Sequence, residues 1–237
     1  MASLGLPRPP VVGVILAAGE GRRAGGPKAT QTLALTSLLG WCAQCLWDGG
    51  IRSMVVVGPK GTPELATRLQ TELAPAVRSS ILLVTNPRPQ GGPTSSLRAA
   101  LKALRASGSP PTAVLMHPVD FPLVRAETVA ALLKSHARAL AKGKTPAVIV
   151  PLHGGRRGHP VLLAGAALEE AAALPRGLTV KDIVRKDSRR VITVRTGDHG
   201  ILMNLNTREE LASAELWLRS GRRNPPPGAL SEEQAPP

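Results

Sequence analysis

Apolar residues in this chain fall into short continuous runs, separated by longer stretches in which they recur every three or four positions. The runs cover residues 11–18, 53–58, 81–85, 113–116, 147–151 and 191–194. Each is too short for a helix and rich in Val, Ile or Leu, as strands buried on both faces are. The helical spacing lies between them and after the last, over 35–48, 63–73, 94–107, 126–142, 166–174, 179–186 and 207–219. Alternation of this kind predicts an α/β fold: a three-layer sandwich with a mostly parallel sheet and helices on both faces. Ligands of such sheets gather beyond the carboxyl ends of the strands. One domain over residues 11–219 accounts for the whole pattern. Residues 1–10 and 220–237 carry no core-forming periodicity and read as disordered tails.

The first run ends abruptly in glycine. Residues 14–28 read Val-Ile-Leu-Ala-Ala-Gly-Glu-Gly-Arg-Arg-Ala-Gly-Gly-Pro-Lys, so Gly19, Gly21, Gly25 and Gly26 are interleaved with Arg22, Arg23 and Lys28. A strand that opens into a cationic glycine loop suits phosphate, because glycines let backbone N–H groups approach the anion while Lys or Arg neutralises it. The plainer alternative is a simple turn. Gly19-x-Gly21-x-x-Ala24 also fits the loose dinucleotide pattern, but that site wants an acidic residue after the next strand. The next strand ends in Gly58-Pro59-Lys60, and no Gly-Lys-Ser/Thr is present for a P-loop.

Composition narrows the partners. The formal net charge is +14, with 30 Lys and Arg against 16 Asp and Glu. That excess suits polyanionic ligands, although Arg-rich, Ala-rich and Gly-rich usage accounts for it equally well. One Phe, three Trp and no Tyr leave little for base stacking, which disfavours nucleic acid. The core must rest on Ala, Val, Leu and Ile. No apolar run approaches the roughly 20 residues of a membrane span, and the N-terminus lacks the apolar stretch of a secretory signal. A cytoplasmic location follows as the expectation. Cys42 and Cys45 form a C-x-x-C inside a helical pattern. They read as buried structural thiols, against the alternatives of a redox pair or half a zinc site.

Leu16-Ala17-Ala18-Gly19-x-Gly21-x-Arg23-x-Gly25-x-Pro27-Lys28 resembles the signature loop of the MobA-like nucleotidyltransferases. Further segments resemble that family in its own order. They are Asn86-x-x-x-x-Gly91-x-x-x-Ser95-Ser96-Leu97-Arg98, His117-Pro118-Val119-Asp120-Phe121-Pro122, Gly155-x-Arg157-Gly158-His159-Pro160 and Asn204-x-Asn206-Thr207. The resemblance spans roughly residues 11–215. It implies a Rossmann-like fold of the nucleotide-diphospho-sugar transferase type and a Mg²⁺-dependent transfer of NMP from an NTP to a phosphorylated acceptor, with release of pyrophosphate. Ala18 and the Gly158-His159-Pro160 segment are most similar to the molybdenum cofactor cytidylyltransferases. That likeness favours CTP as donor, molybdopterin as acceptor, and a molybdoenzyme or its chaperone as recipient of the product.

The resemblance also distributes roles. Leu16, Ala17, Ala18, Gly19, Gly21, Arg23 and Lys28 would line the triphosphate, with Arg23, Lys28 and Asp120 catalytic. Asn86, Gly91, Ser95 and Ser96 would meet base or ribose, and Arg157, Gly158, His159 and Pro160 the acceptor. Asp120 and Asn206 would hold the metal. Several of these positions admit a plainer reading. Asp120, Asn206 and the Ser95-Ser96 pair are all good helix caps, the Arg157 segment could be a hairpin turn, and His117 reads as a packing residue. The family's Gly-Lys/Arg-Pro-Leu turn after Pro-Lys is missing, with Ala29-Thr30-Gln31-Thr32-Leu33-Ala34 in its place. A sugar-1-phosphate nucleotidyltransferase and a non-catalytic nucleotide-binding or nucleic-acid-binding descendant remain as alternatives.

Overall fold

A computed structural model of the chain describes residues 11–19, 26–108, 110–144, 147–175 and 177–220. The segments read as tails lie outside these residues apart from Ser220, which ends the last helix. So does the centre of the glycine loop, including Gly21, Arg22, Arg23 and Gly25.

The chain begins with β1 (Val12–Leu16), a small hairpin of β2 (Thr32–Leu33) and β3 (Thr36–Ser37), and helix α1 (Leu38–Asp48). Next come β4 (Met54–Pro59), α2 (Pro63–Glu72), α3 (Pro75–Arg78), β5 (Ile81–Asn86), α4 (Gly92–Ala106), β6 (Ala113–Pro118) and α5 (Ala126–Ala141). The last part holds β7 (Val148–His153), β8 (Arg156–Arg157), β9 (Val161–Ala164), α6 (Ala166–Ala173), α7 (Val180–Lys186), β10 (Val191–Arg195) and α8 (Arg208–Ser220). The main sheet runs β10-β7-β9-β6-β1-β4-β5, with β8 hydrogen-bonded to β7. β1, β4, β5 and β6 pair in parallel, as do β7 and β10, while β9 is antiparallel to both of its neighbours.

Period-two alternation along the strands builds two cores. Ile15, Met54, Val56, Leu115, Ile149 and Leu162 face one side, where α1, α2, α5 and α8 contribute Leu39, Cys42, Leu65, Leu132 and Ala214. Val14, Val55, Val57, Val114, Val150 and Leu163 face the other, against Leu97, Leu101, Leu168 and Ile183 of α4, α6 and α7. The inner strands β1, β4, β6 and β7 are covered on both faces and so read as unbroken apolar runs, while the edge strands β5 and β10 stay partly exposed.

The structure adds to the sequence reading at three places. β9 is a strand directly after the segment assigned to the acceptor, too short and too close to Pro160 for periodicity to reveal. Helix α1 starts at Leu38 rather than at residue 35, because Ser37 caps it by accepting from Gly40 N at 3.0 Å. Leu35 sits instead at the tip of the β2–β3 hairpin and is 96% exposed. Ala34 and Leu35 both have positive φ, 48° and 72°, so the departed turn keeps a tight hairpin shape without the glycine such a turn prefers.

Candidate active site

The strand order reverses at β1. From there β4 and β5 extend one way and β6 the other, although β6 follows β5 in the chain. A crevice opens beyond the carboxyl ends at such a switch point. The glycine loop leaves β1 there, and the Asp120 turn leaves β6 beside it. A backbone hydrogen bond from Val119 N to Leu16 O, 3.2 Å long, ties the two exits together.

Lys28, Asp120 and Asn206 converge in that crevice from segments far apart in sequence. The Lys28 Nζ lies 3.4 Å from Asp120 Oδ2 and also donates to Asn206 Oδ1. The side chains of Lys28 and Asp120 keep 17% and 21% of their surface exposed, enough to be reached by a ligand. Burial pushes the Asp120 carboxyl above its ordinary value, and the Lys28 ammonium opposes that only in part.

Neither oxygen is spent on capping. Helix α5 begins at Ala126, with Arg125 in the cap position, well past Asp120. At α8 the cap is Thr207, whose Oγ1 accepts from Glu210 N at 3.2 Å. Glu210 in turn accepts from the backbone N of Asn206 and of Thr207, a reciprocal capping box. That box fixes the Asn206 backbone and leaves its side chain turned toward Lys28. Leu205 N donates to the Asp120 main-chain oxygen at 2.8 Å, docking the closing segment onto the Asp120 turn. A hard divalent ion takes oxygen ligands and usually one or two from protein, the rest coming from phosphate and water. Two protein oxygens already aimed at one cationic group, one of them a carboxylate short of compensating charge, fit Mg²⁺. Among the described residues no cluster of three His, Cys, Asp or Glu offers a richer metal site.

Other candidates are placed differently. Leu16, Ala17 and Ala18 have buried side chains, so they can face a nucleotide only through backbone, with Gly19 exposed beyond them. Gly21 and Arg23 lie outside the described residues. Asn86, 1% exposed, donates from Nδ2 to Ser95 Oγ at 2.8 Å and to Ser96 Oγ at 3.0 Å, and accepts from Arg88 N at 2.9 Å. Asn86 and Ser96 are thus enclosed and satisfied by protein. They brace the turn that carries the exposed Gly91 and the partly exposed Ser95.

The acceptor-side residues form the β7–β8 hairpin and its exit. Gly154 and Gly155 turn it with φ of 54° and 79°, and Arg157 is exposed. His159, expected on the acceptor side, is half-buried. Its ring packs on Phe121 with centroids 4.5 Å apart. Burial, with His117 nearby, pushes its pKa down to about 3, so the imidazole is neutral at pH 7. Pro160 is buried beside it, after a cis His159–Pro160 bond. His117 is fully buried and donates from Nε2 to Phe121 O at 3.0 Å, as a packing residue should.

Several further residues support the site from around it. Cys42 and Cys45 donate from Sγ to Val119 O and Val124 O, at 3.6 and 3.1 Å, and so pin both ends of the Asp120 turn to α1. Gly200 packs against the backbone of that turn so tightly that a methyl group there would overlap the Leu123 carbonyl, and Gly158 meets Ile201 in the same way. Asp198, 2% exposed, accepts from Arg125 N, Thr128 Oγ1 and Gly200 N. Of these, Cys42 and Cys45 were legible as buried thiols and Gly158 as part of the acceptor segment, while Gly200 and Asp198 carried no signal. A hollow of about 530 Å³ between α2, α3 and β5, lined by Leu69, Arg78, Ile81 and Leu83, contains none of these residues.

Known proteins match this chain in sequence and in fold. Residues 13–191 match the model of the MobA-like NTP transferase domain. A molybdenum cofactor guanylyltransferase of Cereibacter sphaeroides is 32% identical over 212 residues, covering 87% of this chain and 96% of the relative. Among solved structures, Rv0371c of Mycobacterium tuberculosis H37Rv superposes with a TM-score of 0.67 at 20% identity, over 88% of this chain and 98% of that one. Molybdopterin-guanine dinucleotide biosynthesis protein A of Archaeoglobus fulgidus gives 0.58 at 18% identity, over 89% and 100%. These two establish the fold. The domain match and the near-full-length relative go further: the chain belongs to the MobA-like NTP transferase family and is a nucleotidyltransferase.

Proposed function

We propose that the chain transfers a nucleotidyl group from GTP to the phosphate of molybdopterin, releasing pyrophosphate. The convergence of Lys28, Asp120 and Asn206 at the switch point of the sheet carries the reading of the site. An oxygen of the acceptor phosphate attacks the α-phosphorus, the bond from that phosphorus to the oxygen bridging to the β-phosphate breaks, and pyrophosphate leaves with the electron pair. Backbone N–H groups after β1 receive the β- and γ-phosphates, with Arg23 meeting the charge that grows on the leaving group. Lys28 stabilises charge at the α-phosphate in the transition state. Asp120 and Asn206 would hold Mg²⁺, which when bound neutralises the triphosphate and orients it. Arg157 is the cation of the acceptor side, and neutral His159 shapes that side from below the Asp120 turn.

The donor rests on the relative's name, guanylyltransferase, across nearly the whole chain. Ala18 favours CTP as a second reading, because the GTP-using branch of the family tends to carry Gly there. Incubation of the protein with molybdopterin, Mg²⁺ and equimolar GTP and CTP, followed by mass analysis of the dinucleotide product, distinguishes the two. A guanine dinucleotide supports the first reading and a cytosine dinucleotide the second. No dinucleotide from either would remove molybdopterin as the acceptor.

A further inference from the structure

We propose that Lys28 is a placeholder for the divalent ion: its ammonium occupies the cation position between Asp120 and Asn206 and leaves it when the triphosphate arrives. This rests on the reading of Asp120 and Asn206 as metal ligands. Both oxygens are on rigid supports. Asp120 is fixed by the Leu205 N–H at 2.8 Å to its main-chain oxygen, and Asn206 by Glu210 at the start of α8. Lys28 stands at the start of a short 3₁₀ turn, Lys28–Thr30, and reaches those oxygens on a flexible four-carbon stem with a compact charge at its end. The rigid partners therefore stay in place and the lysine is the part that moves.

One ammonium and one divalent ion cannot share the same two oxygens, since like charges at contact distance repel. Metal alone must displace Lys28 into water and gains the Asp120 charge only by taking it from the lysine. Nucleotide changes that balance by offering Lys28 the phosphates as a new partner. Metal and nucleotide then bind with positive coupling, and by linkage each strengthens the other equally. The arrangement also keeps the half-buried Asp120 carboxylate paired while the site is empty, which an unpaired buried charge would make costly.

The test measures binding of Mn²⁺ alone, by loss of its free-ion spin resonance signal, to wild type, Lys28→Met and Asp120→Asn. The expected result is about tenfold tighter binding by the Lys28→Met protein than by wild type, of the size expected from removing a competing charge. Little binding is expected from Asp120→Asn. Adding GTP or CTP should tighten Mn²⁺ binding to wild type much more than to Lys28→Met. Equal or weaker binding by Lys28→Met, with Asp120→Asn still deficient, overturns the placeholder alone. Undiminished binding by Asp120→Asn overturns the metal reading with it. A second measurement needs no variant: reductive methylation of Lys28 in the wild-type protein, followed by mass spectrometry. It should speed up severalfold when Mg²⁺ displaces the amine; a rate indifferent to Mg²⁺ contradicts the proposal.

Discussion

Asp120 carries the greatest burden in the proposed site, since among the described residues it is the carboxylate that meets Lys28. Replacing it with Asn keeps the shape and removes the charge. Pyrophosphate release should then fall to background at any Mg²⁺ concentration while the melting temperature stays near that of wild type; near-normal turnover would show that the metal lies elsewhere. Lys28→Ala should lower turnover by about 10²–10³-fold, as loss of one preorganised charge at a transition state does. Two histidines give a further test, on stability. The pKa of His117 falls to about 4 and that of His159 to about 3, in both cases mainly through burial, against about 6.5 when unfolded. Between those values the unfolded chain binds protons that the fold refuses, so stability rises with pH there and is complete above the unfolded value. From pH 7 to pH 5, His117 should therefore cost about 2 kcal/mol of stability. His117→Gln, which keeps a donor for Phe121 O, should flatten the fall in melting temperature over that window. An unchanged slope would mean that His117 protonates freely in the fold.

Elements explain why some of this was legible in the sequence and some was not. Strands buried on both faces leave continuous apolar runs, so β1, β4, β6 and β7 could be read directly, and with them the loops that follow β1 and β6; the partly exposed edge strands β5 and β10 were legible from their apolar Val, Ile and Leu content. Amphipathic spacing located the seven longer helices to within a few residues. β9 is four residues long and enters beside its neighbours in the opposite direction, which no local pattern encodes. The start of α1 was misjudged because Leu35 extends the apolar period, while the Ser37 cap depends on Glu72 of α2, whose carboxylate accepts from Ser37 N and Oγ. For the same reason the hydrogen bond between Asn86 and Ser96 was not legible: a sequence shows which polar groups exist but not which ones satisfy each other. Supports made by close approach are the least legible of all. Gly200→Ala should force the closing segment away from Leu123 and lower stability by about 1–3 kcal/mol, the usual cost of overpacking, measured by denaturant unfolding. A neutral result would mean that the two segments can part freely. The thiols beneath the same turn are buried, with Cys45 pushed up to about 12 and Cys42 raised well above its ordinary value by desolvation. Neither should react with a thiol reagent in the native protein, and both should react in denaturant; rapid native labelling would contradict the burial of α1 against the Asp120 turn.

At the scale of the molecule, one topological fact organises the site. Because the sheet grows outward from β1 on one side and resumes at β6 on the other, two loops distant in sequence leave adjacent strands at the same edge. The closing segment before α8 then lays Asn206 across them. The excess of positive charge, +14 in all, should speed encounter with a triphosphate and a phosphorylated acceptor at low salt. Among the described residues no helix is long and apolar enough to cross a membrane. The central claim is nucleotidyl transfer to molybdopterin at the Lys28–Asp120–Asn206 site. The most direct measurement is pyrophosphate release from GTP and from CTP with Mg²⁺, with and without molybdopterin, by the wild-type protein and by Asp120→Asn. The account predicts release by wild type only when molybdopterin is present, and none by the variant. Release that ignores molybdopterin, or that survives the loss of the Asp120 charge, would contradict it.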